Sequence, residues 1–246
     1  MQGIQRAYLR FYAELNDFLA AERRFREFEY PFYVSGSVKD VIESAGVPHT
    51  EVDLVLVNGG SQGFDYRVRN GDRISVYPVF EAFDIRSVSR LRSEPLRALR
   101  FVLDTHLGKL ARYLRMAGFD AHYRNDSSDA ELVRISKAEH RILLTRDVGL
   151  LKHSALTHAS FVRETDPRRQ FVGILKRFDL HSPAAAFSRC LECNEPLERP
   201  DSSEFHQCPA CGRIYWKGSH YSRMQSFLAQ MFKQAYPNSA DKAPGI

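Results

Sequence analysis

A chain of 246 residues with 43% hydrophobic content is too long and too apolar for a disordered tail, and its length allows one large domain or two to three small ones. No run approaches the roughly 18 apolar residues that a bilayer demands, and the opening MQGIQRAYLRFYAELNDF scatters charge where a signal peptide carries its apolar segment, so the chain reads as soluble, cytoplasmic and without a membrane partner. The net charge of +5 is unevenly placed: residues 1–83 carry 9 Lys and Arg against 12 Asp and Glu, residues 84–179 carry 19 against 12, and the remainder 7 against 6. The middle third therefore favours a polyanionic partner, unless its arginines only coat solvated helix faces.

IQRAYLRFYAEL alternates as a strand does, and after a charged irregular stretch the aromatic-rich REFEYPFYV predicts a second strand. Ser37, with Asp40 three residues on, has capping-box spacing ahead of a short helix; its apolar face is Val38, Val41, Ile42 and Ala45, and Gly46 supplies the stop. TEVDLVLVNGG reads as a buried strand ending in a turn, and Asn70-Gly71-Asp72 turns the chain into a further strand, RISVYPVF. This order predicts a small α+β roll over residues 1–83. Its phrases VNGGSQGFDYRVRNGDRISVYP resemble the β-grasp fold of ubiquitin-like sulfur carriers, and the resemblance implies that fold. Such carriers end in a free Gly-Gly, whereas here Pro78 is followed by VFEAFDIR and the chain continues. Docking of a protein partner is expected in place of sulfur carriage.

RSVSRLRSEPLR is arginine-rich and aperiodic and suits a linker at 84–97. Over 98–182 strands and helices alternate: RFVLD, HLGKLARYLRMAG, AHYRND, SSDAELVRISKAE, RILLTRD, a short helix around GLLKH, ASFVRETD and PRRQFVGILKRF. Such alternation predicts an α/β domain with a parallel sheet covered by helices on both faces. The helix LGKLARYLRMAG puts Leu107, Leu110, Leu114 and Ala117 on one stripe, with Lys109, Arg112 and Arg115 off it and available to phosphates.

Each of the four strands runs into an aspartate: Asp104, Asp126, Asp147 and Asp166. The carboxyl ends of parallel strands share one edge, where ligands bind. Carboxylates gathered there repel one another unless a cation sits between them, and Mg²⁺ or Mn²⁺, with oxygen ligands and retained waters, suits such a site. Aspartate also caps helices. Asp166 before Pro167 fits a cap, Ser128 and Glu131 have capping-box spacing, and Asp129 is either a first-turn charge or an auxiliary ligand. Asp104 and Asp147 each end an apolar segment and are the primary ligand candidates. His106 could ligate or relay protons, or serve only at a helix start.

Cys190-x2-Cys193 and Cys208-x2-Cys211, with 14 residues between the pairs, have the spacing of a structural zinc ribbon over 183–224. Pro209 and Gly212 supply turn geometry there, and His206 is a bystander. Trp216, Lys217 and Arg223 could contact RNA by stacking and charge, or the aromatic residues could seal the ribbon. Residues 225–246 read as a C-terminal tail, disordered from Ala235 onward.

Taken together, LDTHLGKLARYLRMAGFDAHY, NDSSDAELV, RILLTRD, SRCLECNEPLE and CPACGRIYWKGSHYSRM resemble the RNase family named for the C-terminal domain of the mutator-seven exonuclease. The resemblance implies a PIN-like nuclease sheet with clustered acids and a zinc ribbon. Its acidic site would be Asp104, Asp126 or Asp129, and Asp147, with Asp166 as a further member. The favoured expectation is metal-dependent RNA hydrolysis. Two rivals remain: an RNA-binding module without catalysis, and an interaction protein docking through its β-grasp domain.

Overall fold

The computed structural model describes residues 3–78, 99–200 and 204–237. The linker expected at 84–97 lies outside them. The described residues form two compact units, one holding those up to 78 together with Val148–Thr157, the other holding 99–147, 158–200 and 204–237. Among the described residues no helix is long and apolar enough to cross a membrane.

In the first unit β1 (Gln5–Phe11), β2 (Phe28–Phe32), α1 (Val38–Ser44), β3 (Val52–Val57), β4 (Gly60–Ser61) and β5 (Arg73–Pro78) form the ubiquitin-like arrangement. The sheet order is β2-β1-β5-β3-β4, with β1 parallel to β5 at its centre. Alternation in β1 buries Ala7, Leu9 and Phe11, onto which α1 lays Val38, Val41 and Ile42. The Ser37–Asp40 capping box is formed. The charged stretch after β1 folds into two 3-10 turns, Ala13–Phe18 and Ala21–Arg23. Buried Asn16 holds them by donating to Phe11 O and Ala13 O and accepting from Phe25 N. Val148–Thr157, expected within the α/β domain, packs in this unit: His49 Nε2 lies 3.0 Å from Leu156 O, Thr50 donates to Leu151 O, and Lys152 donates to Glu43 O.

The second unit is the expected parallel sheet. β6 (Arg100–Leu103) leads through a 3-10 turn (Thr105–Leu107) to α2 (Gly108–Met116), β7 (Asp120–Tyr123), α3 (Asp129–Glu139) and β8 (Ile142–Thr145). After α4 (Val148–Leu151), which belongs to the first unit, come β9 (Ala159–Phe161) and α5 (Pro167–Arg177). All neighbours pair parallel in the order β7-β6-β8-β9. Every residue of β8 is buried, as a strand covered on both faces requires. The ribbon hairpin, β10 (Phe205–Gln207) with antiparallel β11 (Ile214–Trp216), clusters in this same unit.

Residues 219–235, expected to divide between the ribbon extension and a tail, form one helix, α6 (Ser219–Ala235). Leu228, Met231 and Ala235 are buried on it, Phe227 lies 4.6 Å from the Tyr113 ring, and Phe232 lies 6.2 Å from Phe171 of α5. Tyr236 donates to Leu175 O at 2.7 Å, so the chain is still packed beyond Ala235. The helix start is faint in sequence because its N-cap, Gly218, provides no side-chain bond. Residues 238–246 of the expected tail lie outside the described residues.

A half-buried ion pair ties β7 to β8. Arg141 Nη1 lies 2.6 Å from Asp120 Oδ1, and Asn194 of the ribbon donates to the same oxygen at 2.7 Å. Burial pushes the Asp120 carboxyl up, but these donors outweigh it and hold it below the usual carboxylate range. Its contribution to stability is therefore complete above the unfolded value of about 3.9 and disappears as pH falls through the lower folded value. Asp120→Ala is expected to cost about 3 kcal/mol at neutral pH, with the gap from wild type closing in acid. Denaturant unfolding across pH measures both; a gap that widens in acid contradicts this origin.

Candidate functional site

The strand order β7-β6-β8-β9 reverses direction between β6 and β8, and the crevice of an open parallel sheet lies at such a switch point. Asp104 follows β6 and Asp147 follows β8, one on each side of it. The Asp104 amide donates to Leu144 O, extending the ladder one residue beyond β6. Its Oδ1 accepts from the Thr105 amide at 2.6 Å, and its Oδ2 from the Thr145 hydroxyl at 2.7 Å. The same hydroxyl accepts from the Asp147 amide at 2.9 Å. Fully buried Thr145 thus joins the side chain of one aspartate to the backbone of the other. Sequence reasoning missed it; the available signal is a lone hydroxyl closing the apolar run ILLT. Tyr123 seats the turn after Asp104 by donating to Thr105 O, and Gly108 makes room for it, since a Cβ there would lie 2.8 Å from the Tyr123 hydroxyl.

The other expected acids have different work. Asp126 is exposed and forms a two-point pair with Arg124, whose guanidinium holds it below the usual carboxylate range. Asp129 is exposed at the first position of α3, where Ser128 caps by accepting from Glu131 N. Asp166 caps α5, accepting from the amides of Arg168 and Arg169, with Pro167 first in the helix. Asp126 and Asp129 follow one edge strand, β7, and Asp166 follows the other, β9. Among the described residues the aspartates do not gather into a group of three with ligand atoms mutually within 4.8 Å. His106 is exposed in the turn after Asp104.

Of the cations expected off the α2 stripe, Lys109 and Arg112 are exposed, the latter 3.1 Å from Glu192. Arg115, expected with them at the surface, is buried. It is 2% exposed and donates to Ala121 O, Leu191 O and Glu192 O, so phosphate cannot reach it. The stripe was too narrow a guide because the ribbon covers a second face of α2. Trp216, Lys217 and Arg223 are all at the surface.

Cys190, Cys193, Cys208 and Cys211 are free thiols with their sulfurs within 4.8 Å of one another. Two Sγ–Sγ separations are 3.6 Å and 3.3 Å, close to the edges of about 3.8 Å in a tetrahedron with metal–sulfur bonds of about 2.3 Å. This group could bind zinc. Burial pushes the Cys190 thiol up, but the Tyr215 hydroxyl and the amides of Cys193 and Glu192 outweigh it and bring it to about 6. Burial and the neighbouring sulfurs push Cys193 up to about 12. Four crowded thiols resist joint ionisation unless a cation is supplied. His206, exposed on β10, lies outside the group.

Comparison with known proteins bears on both units. Residues 99–228 match the family described as Mut7-C RNAse domain, and residues 4–84 the one described as Mut7-C ubiquitin. The exonuclease mut-7 homolog of Homo sapiens is 34% identical over 106 residues, covering 41% of this chain and only 12% of that protein. No solved structure matches.

The burial of Arg115 generates a test. Its guanidinium needs the carbonyls of the first cysteine knuckle, so Arg115→Ala should lower the unfolding free energy by about 3 kcal/mol or more, as loss of a buried charge with its partners does. It should also weaken metal retention by the thiols. Denaturant unfolding with elemental analysis reads both; full stability with a reduced salt dependence of RNA binding would return Arg115 to the surface role.

Proposed function

The chain belongs to the Mut7-C RNase family, and from that premise we propose that it hydrolyses RNA phosphodiesters at the switch point between β6 and β8, using Mg²⁺ or Mn²⁺ held by Asp104 and Asp147. The observation that supports this reading is the Thr145 bridge, which joins the Asp104 carboxylate to the Asp147 backbone on the edge where parallel sheets bind ligands. Two carboxylates suffice for such an ion, because Mg²⁺ keeps several waters and takes substrate phosphate as well. When bound, the ion lowers the pKa of a water and offsets charge on the phosphoryl oxygens.

The chain's own groups do the positioning. The Thr105 amide and hydroxyl at Oδ1 and the Thr145 hydroxyl at Oδ2 orient the Asp104 carboxylate, and Oδ2 keeps a lone pair for a ligand. Lys109 and Arg112 on exposed positions of α2 attract the backbone phosphates, and Trp216, Lys217 and Arg223 contact the strand elsewhere. The zinc centre is structural, since all four positions are thiolates and none remains for water or substrate. Four unpaired thiols fit a reducing, cytoplasmic setting. The ubiquitin-like unit docks a protein partner. A second reading, RNA binding without cleavage, draws support from the Arg124 pairing of Asp126 and the capping by Asp166.

Purified protein should cleave single-stranded or structured RNA when Mg²⁺ or Mn²⁺ is added. Asp104→Asn and Asp147→Asn should each lower the rate by about 100-fold or more, in line with loss of a principal electrostatic element. Lys109→Ala and Arg112→Ala should instead weaken binding across sequences, each lowering the salt slope by about one. Wild-type rates in both aspartate variants would refute the site. Binding by a wild type that never cleaves would establish the second reading.

A further inference from the structure

The RNA contact proposed above for Trp216 and Lys217 lies on a groove of the ribbon. The groove is a cavity of about 480 Å³ where β11 passes into α6, walled by Phe187, Tyr215, Trp216 and Tyr221. The Tyr215 hydroxyl lies 3.2 Å from Cys190 Sγ and accepts from Leu191 N, so its ring is fixed to the metal knuckle. Phe187 and Tyr221 pack together with centroids 4.7 Å apart. Trp216, by contrast, leaves 67% of its surface to solvent. Its indole lies over Gly218, where a Cβ would come within 2.9 Å of Nε1, so glycine permits that placement.

The charges at this groove identify its occupant. Lys217, His206 and His220 line it against Glu204, and Lys217 Nζ stands 6.0 Å from the Tyr221 ring; Arg189 lines it too, but its guanidinium is taken up by Gly118 O, Asn194 O and Asp120. An apolar peptide would leave Lys217 without an anionic partner. A base stacks on aromatic faces while its phosphate meets the cation, and stacking tolerates any base because each has a π-face.

We propose that this groove takes an unpaired nucleobase of single-stranded RNA, stacked on Trp216 with its adjoining phosphate at Lys217. The inference rests on RNA being the ligand, as proposed above, and adds a gripping subsite that needs neither the aspartates nor a divalent ion. Loss of one stacking partner should weaken binding roughly 5- to 150-fold, the worth of about 1–3 kcal/mol per base.

Trp216 is the sole tryptophan, so its fluorescence reports this groove alone. The full-length, zinc-loaded chain is titrated, without Mg²⁺ or Mn²⁺, with tetra-adenylate, tetra-uridylate and an abasic ribose-phosphate tetramer. Saturable quenching by both base-bearing tetramers, and none by the abasic chain, is expected. Trp216→Ala, checked for unchanged zinc content and unfolding transition, should weaken binding of dye-labelled tetra-adenylate, read by anisotropy, roughly 5- to 150-fold, and Lys217→Ala should flatten the salt dependence of the wild-type quenching. Equal quenching by the abasic chain, or unaffected binding by Trp216→Ala, overturns the proposal. No quenching by any tetramer also overturns it and leaves the groove to a protein segment. Cleavage is scored separately with Mg²⁺ added: quenching without cleavage sinks the nuclease reading alone, and cleavage without quenching sinks this one alone.

Discussion

A guanidinium withdrawn from water needs acceptors for its N–H donors, and two such groups govern how the second unit is assembled. Arg115 reaches from α2 to the carbonyls of Leu191 and Glu192, between the first two cysteines. Arg141 reaches from the start of β8 to Asp120, whose other donor is Asn194, the residue after Cys193. Both arginines therefore make the sheet depend on the knuckle. Asn194 is held at φ 71° while its side-chain oxygen also accepts from Ala121 N. A ribbon joined by these bonds is part of the second unit's core, and the family match running unbroken over 99–228 agrees with that.

The same economy of hydrogen bonds organises the strand ends. Thr145 has no water to satisfy its hydroxyl, so it donates to Asp104 and accepts from the Asp147 amide. The Asp104 carboxylate and the Asp147 backbone are thereby held at the switch point. Rigidity of this kind is what a site built on strands provides over one built on loops. The acids after the edge strands lack such a tie: Asp126 neutralises Arg124, and Asp166 satisfies two amides at the head of α5.

Periodicity made most elements readable. Alternation in β1, the apolar run of β8 and the capping box at Ser37 all correspond to what formed, because each is decided by residues within a few positions. The paired cysteines were readable for another reason: few chemistries other than metal binding require that spacing in a reducing setting. Partners distant in sequence were not readable. Arg112 and Arg115 look alike on a helical wheel, and only the ribbon, more than 70 residues on, buries one of them. Aspartates after strands serve as ligands and as caps with equal ease, so Asp104 and Asp166 separate only when their hydrogen bonds are seen. The helix α6 was hidden by a glycine cap, and Val148–Thr157 by the side chains of His49 and Thr50 and the Glu43 carbonyl, about 100 positions earlier.

The central claim is that two aspartates, joined through Thr145, make one divalent-ion site at the β6–β8 edge. Anomalous diffraction from a crystal of the zinc-loaded protein grown with Mn²⁺ tests it most directly, because the manganese signal is separable by wavelength from that of zinc in the ribbon. The account predicts a manganese peak within ligand distance of carboxylate oxygens from both Asp104 and Asp147, lost in crystals of Asp147→Asn. A peak at Asp126 or Asp166 instead, or none at the switch point at millimolar Mn²⁺, would contradict it.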